Sequence, residues 1–86
     1  MKILIITGAN GGIGSEICKL YKNNNWFIIG TDINNDKKNK YIDSYYKVNL
    51  FNSEEIKNFI QKIEKVDCFI NCAGYQVCKP IWEYNE

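Results

Sequence analysis

The sequence predicts an α/β fold: one open parallel sheet, strand order 3-2-1-4, with helices on both faces. Three observations carry that expectation. The apolar runs Ile3–Ile6, Trp26–Ile29 and Cys68–Ile70 are continuous and not alternating, as strands buried on both faces of a parallel sheet require. Segments with helical spacing or polar composition separate them, which suits right-handed crossovers. The first run leads directly into a glycine-rich stretch, Thr7 to Gly14.

Ile3–Ile6 forms the first expected strand, bounded by Lys2 and the glycines. Beyond it, Ile13, Ile17, Leu20 and Tyr21 fall at i, i+4, i+7 and i+8, one stripe of a helix running from Ile13 to Lys22, and Asn23–Asn25 stops it. The second strand starts at Trp26 and ends through Gly30 and Thr31 at Asp32, an acidic residue that hydrophobic burial does not explain. Asn34–Asp43 is rich in Asn and Lys and reads as a solvated loop with at most a helical turn; Lys37 and Lys38 are expected to face water. Tyr45–Val48 suits a short third strand. Asn52 followed by Glu55 resembles a capping box opening a helix whose apolar positions are Ile56, Phe59, Ile60 and Ile63. Cys68–Ile70 is the fourth strand, opening onto Asn71-Cys72-Ala73-Gly74.

The placement of Thr7-Gly8-Ala9-Asn10-Gly11-Gly12-Ile13-Gly14, between a buried strand and a helix, is what gives it chemical meaning. Glycine lets the backbone turn tightly and approach a diphosphate, and the N–H groups and positive dipole end of the helix attract the anion. Asp32 ends the second strand 18 residues after Gly14, about the separation at which a carboxylate accepts from an adenosine ribose. Such a carboxylate accepts from a free 2′-hydroxyl and repels a 2′-phosphate, which favours NAD over NADP, a preference that Lys37 and Lys38 would soften if the following loop folded back. A P-loop is excluded because no Gly-Lys-Ser/Thr follows the glycines.

Together, Thr7–Gly14, Asp32 and Asn71-Cys72-Ala73-Gly74 resemble the short-chain dehydrogenase/reductase family, whose glycine motif is TGxxxGxG and whose fourth strand ends in NNAG. The resemblance spans nearly the whole chain and implies a Rossmann-like, NAD(P)-binding domain over residues 1–86 of an oxidoreductase. It implies that Gly8, Gly12 and Gly14 shape the diphosphate turn with Asn10 and Gly11, that Ile13 backs it, and that Asp32 meets the ribose. Asn71, Ala73 and Gly74 would line the cofactor cleft. Cys72 departs from the second Asn of NNAG, and Asn49 stands where the family usually has an Asp facing the adenine. An Asn carbonyl still accepts from an adenine amino group, so Asn49 with Leu50 is retained as an adenine contact. Gly8, Gly11 and Gly14 also satisfy TGxxGxxG, the pattern of the extended branch, whereas Asn71–Gly74 favours the ordinary one.

Hydride transfer in this family resembles general acid/base work by a tyrosine, lysine and serine placed after a fifth strand. No catalytic residue is therefore assigned here, and the chain is expected to be a fragment that ends before the catalytic half. Tyr75 and Lys79 match the Tyr-x-x-x-Lys spacing, but Pro80 disfavours helical geometry at Lys79, so the match is set aside. The alternative to an enzyme fragment is a non-catalytic dinucleotide-binding or regulatory module. A net charge of +1 gives no argument for nucleic acid or an anionic membrane. The apolar runs fall far short of the roughly 20 residues of a membrane span. Four cysteines without CxxC spacing, and no histidine, make zinc unexpected and a reduced cytoplasmic setting the expected one. The expected partners are the dinucleotide and, for a full-length parent, a small-molecule substrate and further copies in a homo-oligomer.

Overall fold

A computed structural model of the chain describes residues 1–72. Ala73, Gly74, the Tyr75–Lys79 spacing and Pro80 lie outside the described residues. The element order is β1 (Ile3–Thr7), α1 (Gly12–Asn23), β2 (Phe27–Asp32), β3 (Ser44–Lys47), α2 (Ser53–Gln61) and β4 (Cys68–Asn71). The four strands pair in parallel in the order β3-β2-β1-β4, as the sequence predicts. In the central register Thr7 stands between Thr31 and Asn71, so the glycine stretch, Asp32 and Cys72 all leave the sheet at one edge. That edge is formed by the carboxyl ends of the strands, where ligands bind in open α/β sheets.

Alternation along the central strands divides the apolar side chains between two cores. Leu4, Ile6 and Ile28 face one side with Ala9, Cys18 and Ile70; Ile5 and Ile29 face the other with Val48 and Phe59. Helix α1 covers the first side through Ile17, Cys18 and Tyr21, and α2 contributes Ile56 and Phe59 to the second. The Tyr21 ring meets Trp26 edge to face, and Tyr46 meets Phe59 likewise, the geometry aromatic quadrupoles favour.

Three expectations are corrected. The buried face of α1 is not the stripe Ile13, Ile17, Leu20 and Tyr21, since Ile13 is 42% and Leu20 60% exposed while Cys18 is fully buried. The reason lies in Gly14, which is pressed against the Gly8 carbonyl and rotates the helix so that residues 14, 17, 18 and 21 face the sheet. On α2, Ile60 likewise points outward at 58% exposure. The Asn34–Asp43 stretch is not a solvated loop throughout, because Ile42 is fully enclosed in the α1-side core and Tyr41 packs against it.

The same segment is stitched to the sheet at its far end. Asp43 accepts from the Ile28 N–H at 2.7 Å, returns its own N–H to the Ile28 carbonyl, and pairs with Lys22 at 2.7 Å. Asp67 does the equivalent for β1, accepting from the Ile3 N–H at 2.8 Å. Among the described residues no helix is long and apolar enough to cross a membrane.

Candidate functional site

The glycine turn owes its shape to two contacts that demand glycine. Gly8 has a φ of 66°, a left-handed conformation that side chains rarely tolerate. A Cβ on Gly14 would stand 2.2 Å from the Gly8 carbonyl oxygen, so the helix approaches the turn only because Gly14 has none. Gly12 is different: its φ is ordinary, and a Cβ there would meet nothing within 4 Å. Folding alone places no steric demand for glycine at position 12.

The two helices begin in opposite ways, and the contrast locates the anion-attracting end. Helix α2 is closed: the Asn52 side chain accepts from the Glu54 and Glu55 N–H groups, and both glutamates sit in its first turn. Glu55 does not reach back to the Asn52 N–H as the capping box implies, but to the Asn49 N–H at 2.8 Å, fixing the end of the preceding turn. Helix α1 has no side-chain cap and no acidic residue in its first turn. Its first helical bond runs from the Ser15 N–H to the Gly11 carbonyl, so the N–H groups of residues 12–14 precede the ladder. These and the positive dipole end meet the exposed surface over Gly11 and Gly12.

Beside this turn lies a cavity of about 330 Å³. Gly8 and Gly11 line it together with Asp32 and Ile33 from the end of β2, and with Val48, Asn49, Leu50 and Phe51 from the turn into α2. The structure therefore brings Gly8, Gly11, Asp32, Asn49 and Leu50 together on one cavity and puts Gly12 and Ile13 at the adjoining helix start. Asn49 uses its side-chain oxygen to accept from the Phe51 N–H at 2.9 Å, which shapes the turn into α2. Its amide oxygen keeps one lone pair beyond that bond.

Asp32 is already engaged by the protein. One carboxylate oxygen accepts from the Asn10 N–H and the other from the Ile33 N–H, each at 2.9 Å. A carboxylate offers about four lone-pair sites, so two bonds orient it across the cavity and leave acceptor capacity. Its charge, after burial, raises the Tyr45 hydroxyl above the usual tyrosine range. Asn10 does not point its side chain at the cavity wall; it bonds the segment that follows Asp32.

At the other strand end, the Thr7 hydroxyl donates to the Asn71 side-chain oxygen and accepts from the Cys72 N–H at 3.1 Å. Thr7 is the positioning residue that sequence reasoning left out of the site; its signal is a polar side chain at the last, buried position of a central strand. Gly30 is a second omission: a Cβ there would lie 2.9 Å from Ala9 and 3.0 Å from Ile42, so its absence lets turn and loop close over β2.

Residues 2–86 match the family described as short chain dehydrogenase. The chain belongs to that family. It is 32% identical over 77 residues to dihydropteridine reductase of Dictyostelium discoideum, covering 85% of this chain and 32% of that protein. With 3-oxoacyl-[acyl-carrier-protein] reductase FabG of Rickettsia typhi it shares 40% over 81 residues, 85% of this chain and 33% of the relative. The chain thus spans about a third of the length of the curated relatives it matches. Among solved structures, a short chain dehydrogenase of Leptospira borgpetersenii with bound NAD+ superposes with a TM-score of 0.74 at 29% identity, over 99% of this chain and 36% of that one. A 4-hydroxyisoleucine dehydrogenase complexed with NADH gives 0.62 at 33%, over 72% and 28%. The α/β fold read from the sequence is the one this chain shares with that short chain dehydrogenase.

Proposed function

We propose that this chain is the nicotinamide-dinucleotide-binding part of an NAD(P)-dependent oxidoreductase, with residues 1–86 forming a Rossmann-like domain. The observation that carries the reading is the uncapped start of α1, open over Gly12, facing the same cavity edge as a preoriented Asp32. The N–H groups of residues 12–14 hold the diphosphate, and Gly8, Gly11 and Gly14 let the backbone come close. Asp32 accepts from the ribose hydroxyls. Asn49 and Leu50 border the adenine with Val48, and Asn71, held by Thr7, supports the strand end toward the nicotinamide side. The family resemblance also assigns Ala73 and Gly74, which lie outside the described residues, to cofactor binding.

Bound there, the nicotinamide ring supplies hydride chemistry. What these residues do is bind and orient: backbone donors fix the diphosphate, a carboxylate fixes the sugar, and apolar side chains exclude water from the base. NAD is favoured over NADP because Asp32 repels a 2′-phosphate. The bound NAD+ and NADH of the two similar dehydrogenase structures support the dinucleotide assignment. A small-molecule substrate and a homo-oligomeric assembly belong to the longer parent enzyme in this proposal.

Calorimetric titration of the wild-type chain and of Asp32→Ala with NAD and NADP tests the site. The wild type should bind NAD more tightly, and the substitution should weaken NAD while narrowing the gap to NADP. Equal affinities of wild type and variant for NAD would refute the assignment.

A further inference from the structure

Asn10 and Gly11 form the one Asn-Gly step in the sequence, and it lies within the glycine turn. Such a step is chemically weak, because a glycine without Cβ leaves its backbone nitrogen open to the amide side chain before it. The Gly11 nitrogen attacks Asn10 Cγ: the N–Cγ bond forms, the Cγ–Nδ2 bond breaks, and ammonia leaves with the Gly11 proton. Water then opens the cyclic imide at either carbonyl, giving aspartate or isoaspartate.

In the folded chain both reacting groups are engaged elsewhere. The Gly11 N–H donates to the Gly8 carbonyl at 3.1 Å. The two amide hydrogens of Asn10 are shared among the Asn34 side-chain oxygen at 3.0 Å, the Asp36 carbonyl at 3.2 Å and the Tyr45 hydroxyl at 3.3 Å. Its amide oxygen accepts from the Lys38 N–H at 2.7 Å. The Tyr45 hydroxyl in turn donates to the Asn34 carbonyl at 2.6 Å. Residues 34–38 are thereby folded back onto the turn as a latch on the Asn10 side chain.

We propose that Asn10–Gly11 is a deamidation site gated by this latch: conversion runs from the opened turn, and its product disables the turn as an anion-binding element. The first half stands on the turn alone; the second rests on the dinucleotide reading above. Aspartate at position 10 has lost both N–H donors to the oxygens of the latch. It also adds a negative charge to the residue whose N–H Asp32 accepts, and that charge opposes a diphosphate. Isoaspartate lengthens the backbone by a methylene directly before Gly11 and Gly12, which displaces the start of α1. A dinucleotide bound to the closed turn slows the loss of its own site.

The test is peptide mapping by mass spectrometry of chain aged in mildly alkaline buffer, as wild type, Asn34→Ala and Tyr45→Phe. Asn10 should convert ahead of every other asparagine, and each variant should convert it about twofold to tenfold faster, the gain in opened turn on losing one hydrogen bond. Asn34 is exposed, so Asn34→Ala carries the comparison if Tyr45→Phe does not fold. Urea should accelerate conversion further, and saturating NAD should slow it. Asn10→Asp, which reproduces one product, should bind NAD about tenfold more weakly or worse; aged wild type separated by charge gives the same reading if that variant does not fold. No conversion at Asn10, or equal rates in wild type and both latch variants, overturns the gated site. Converted chain that binds NAD as wild type does overturns the loss of function. A wild-type chain that binds no NAD overturns the cofactor reading, and the conversion rates decide the site without it.

Discussion

Gly12→Ala separates what the glycine turn needs for folding from what it needs for its ligand. Glycine in a helix costs roughly 0.5–1 kcal/mol relative to alanine. Position 12 opens α1 with an ordinary φ and empty space around its missing Cβ. The substitution should therefore leave the fold as stable or more stable by up to about 1 kcal/mol, a rise in melting midpoint of up to about 4–8 °C for a domain of this size. The added methyl enters open space at the uncapped start of α1, where the proposed function seats the diphosphate. Losing one hydrogen bond to a charged group costs about 1.5–3 kcal/mol, and about 1.4 kcal/mol is tenfold, so the NAD dissociation constant should rise about tenfold to a hundredfold. Thermal melting by circular dichroism and calorimetric titration read the two effects on one sample. NAD bound as tightly by Gly12→Ala as by wild type, or a clear loss of stability, would show the reasoning to be wrong.

Gly14→Ala should behave in the opposite way, losing about 3 kcal/mol or more because the new Cβ meets backbone, the Gly8 carbonyl oxygen at 2.2 Å; denaturant titration measures it. Gly30→Ala should cost about 1–3 kcal/mol, since side chains of Ala9 and Ile42 must yield, and an unchanged urea midpoint would contradict this. Thr7→Val removes the donor to Asn71 and one of the acceptors of the Cys72 N–H, which keeps its bond to the Thr7 carbonyl, so about 1–3 kcal/mol should be lost in denaturant titration. Burial pushes the Cys18 thiol up from 9.0 to about 11, against partial lowering by a hydrogen bond to Asn39. The unfolded thiol ionises first, so the unfolded chain binds fewer protons and stability falls as pH rises from 9 to 11; Cys18→Ala should flatten that slope in melts across the range.

The strands and their order were legible because a doubly covered strand must be apolar at successive positions, and Ile3–Ile6 and the stretch after Trp26 are. The Asn52 cap was legible for a local reason: a short polar acceptor before a run of helical spacing has few other uses. The buried face of α1 was not, because Ile13, Ile17, Leu20, Tyr21 and Cys18 offer two overlapping stripes, and only the contact of Gly14 with Gly8 selects between them. Ile42 was missed because one apolar residue in a polar run has no period to reveal it. Asp32 was legible as an acidic strand end beside the glycine turn, but its bond to Asn10 was not, since nothing local links residues 22 apart. The fold-back of residues 34–38 follows from that same long-range geometry and leaves no trace in composition.

The sheet keeps its two apolar sides apart, with Ala9, Cys18 and Ile42 on one and Val48, Phe59 and Leu50 on the other. The glycine turn rests on the first, while the wall behind Asn49 rests on the second. A ligand lying across the cavity grips both, and so acts as a rivet through a laminate whose layers otherwise share only the strands between them. Occupancy then does more than add binding energy to a melting curve: it makes the layers come apart together, sharpening the transition as well as raising it.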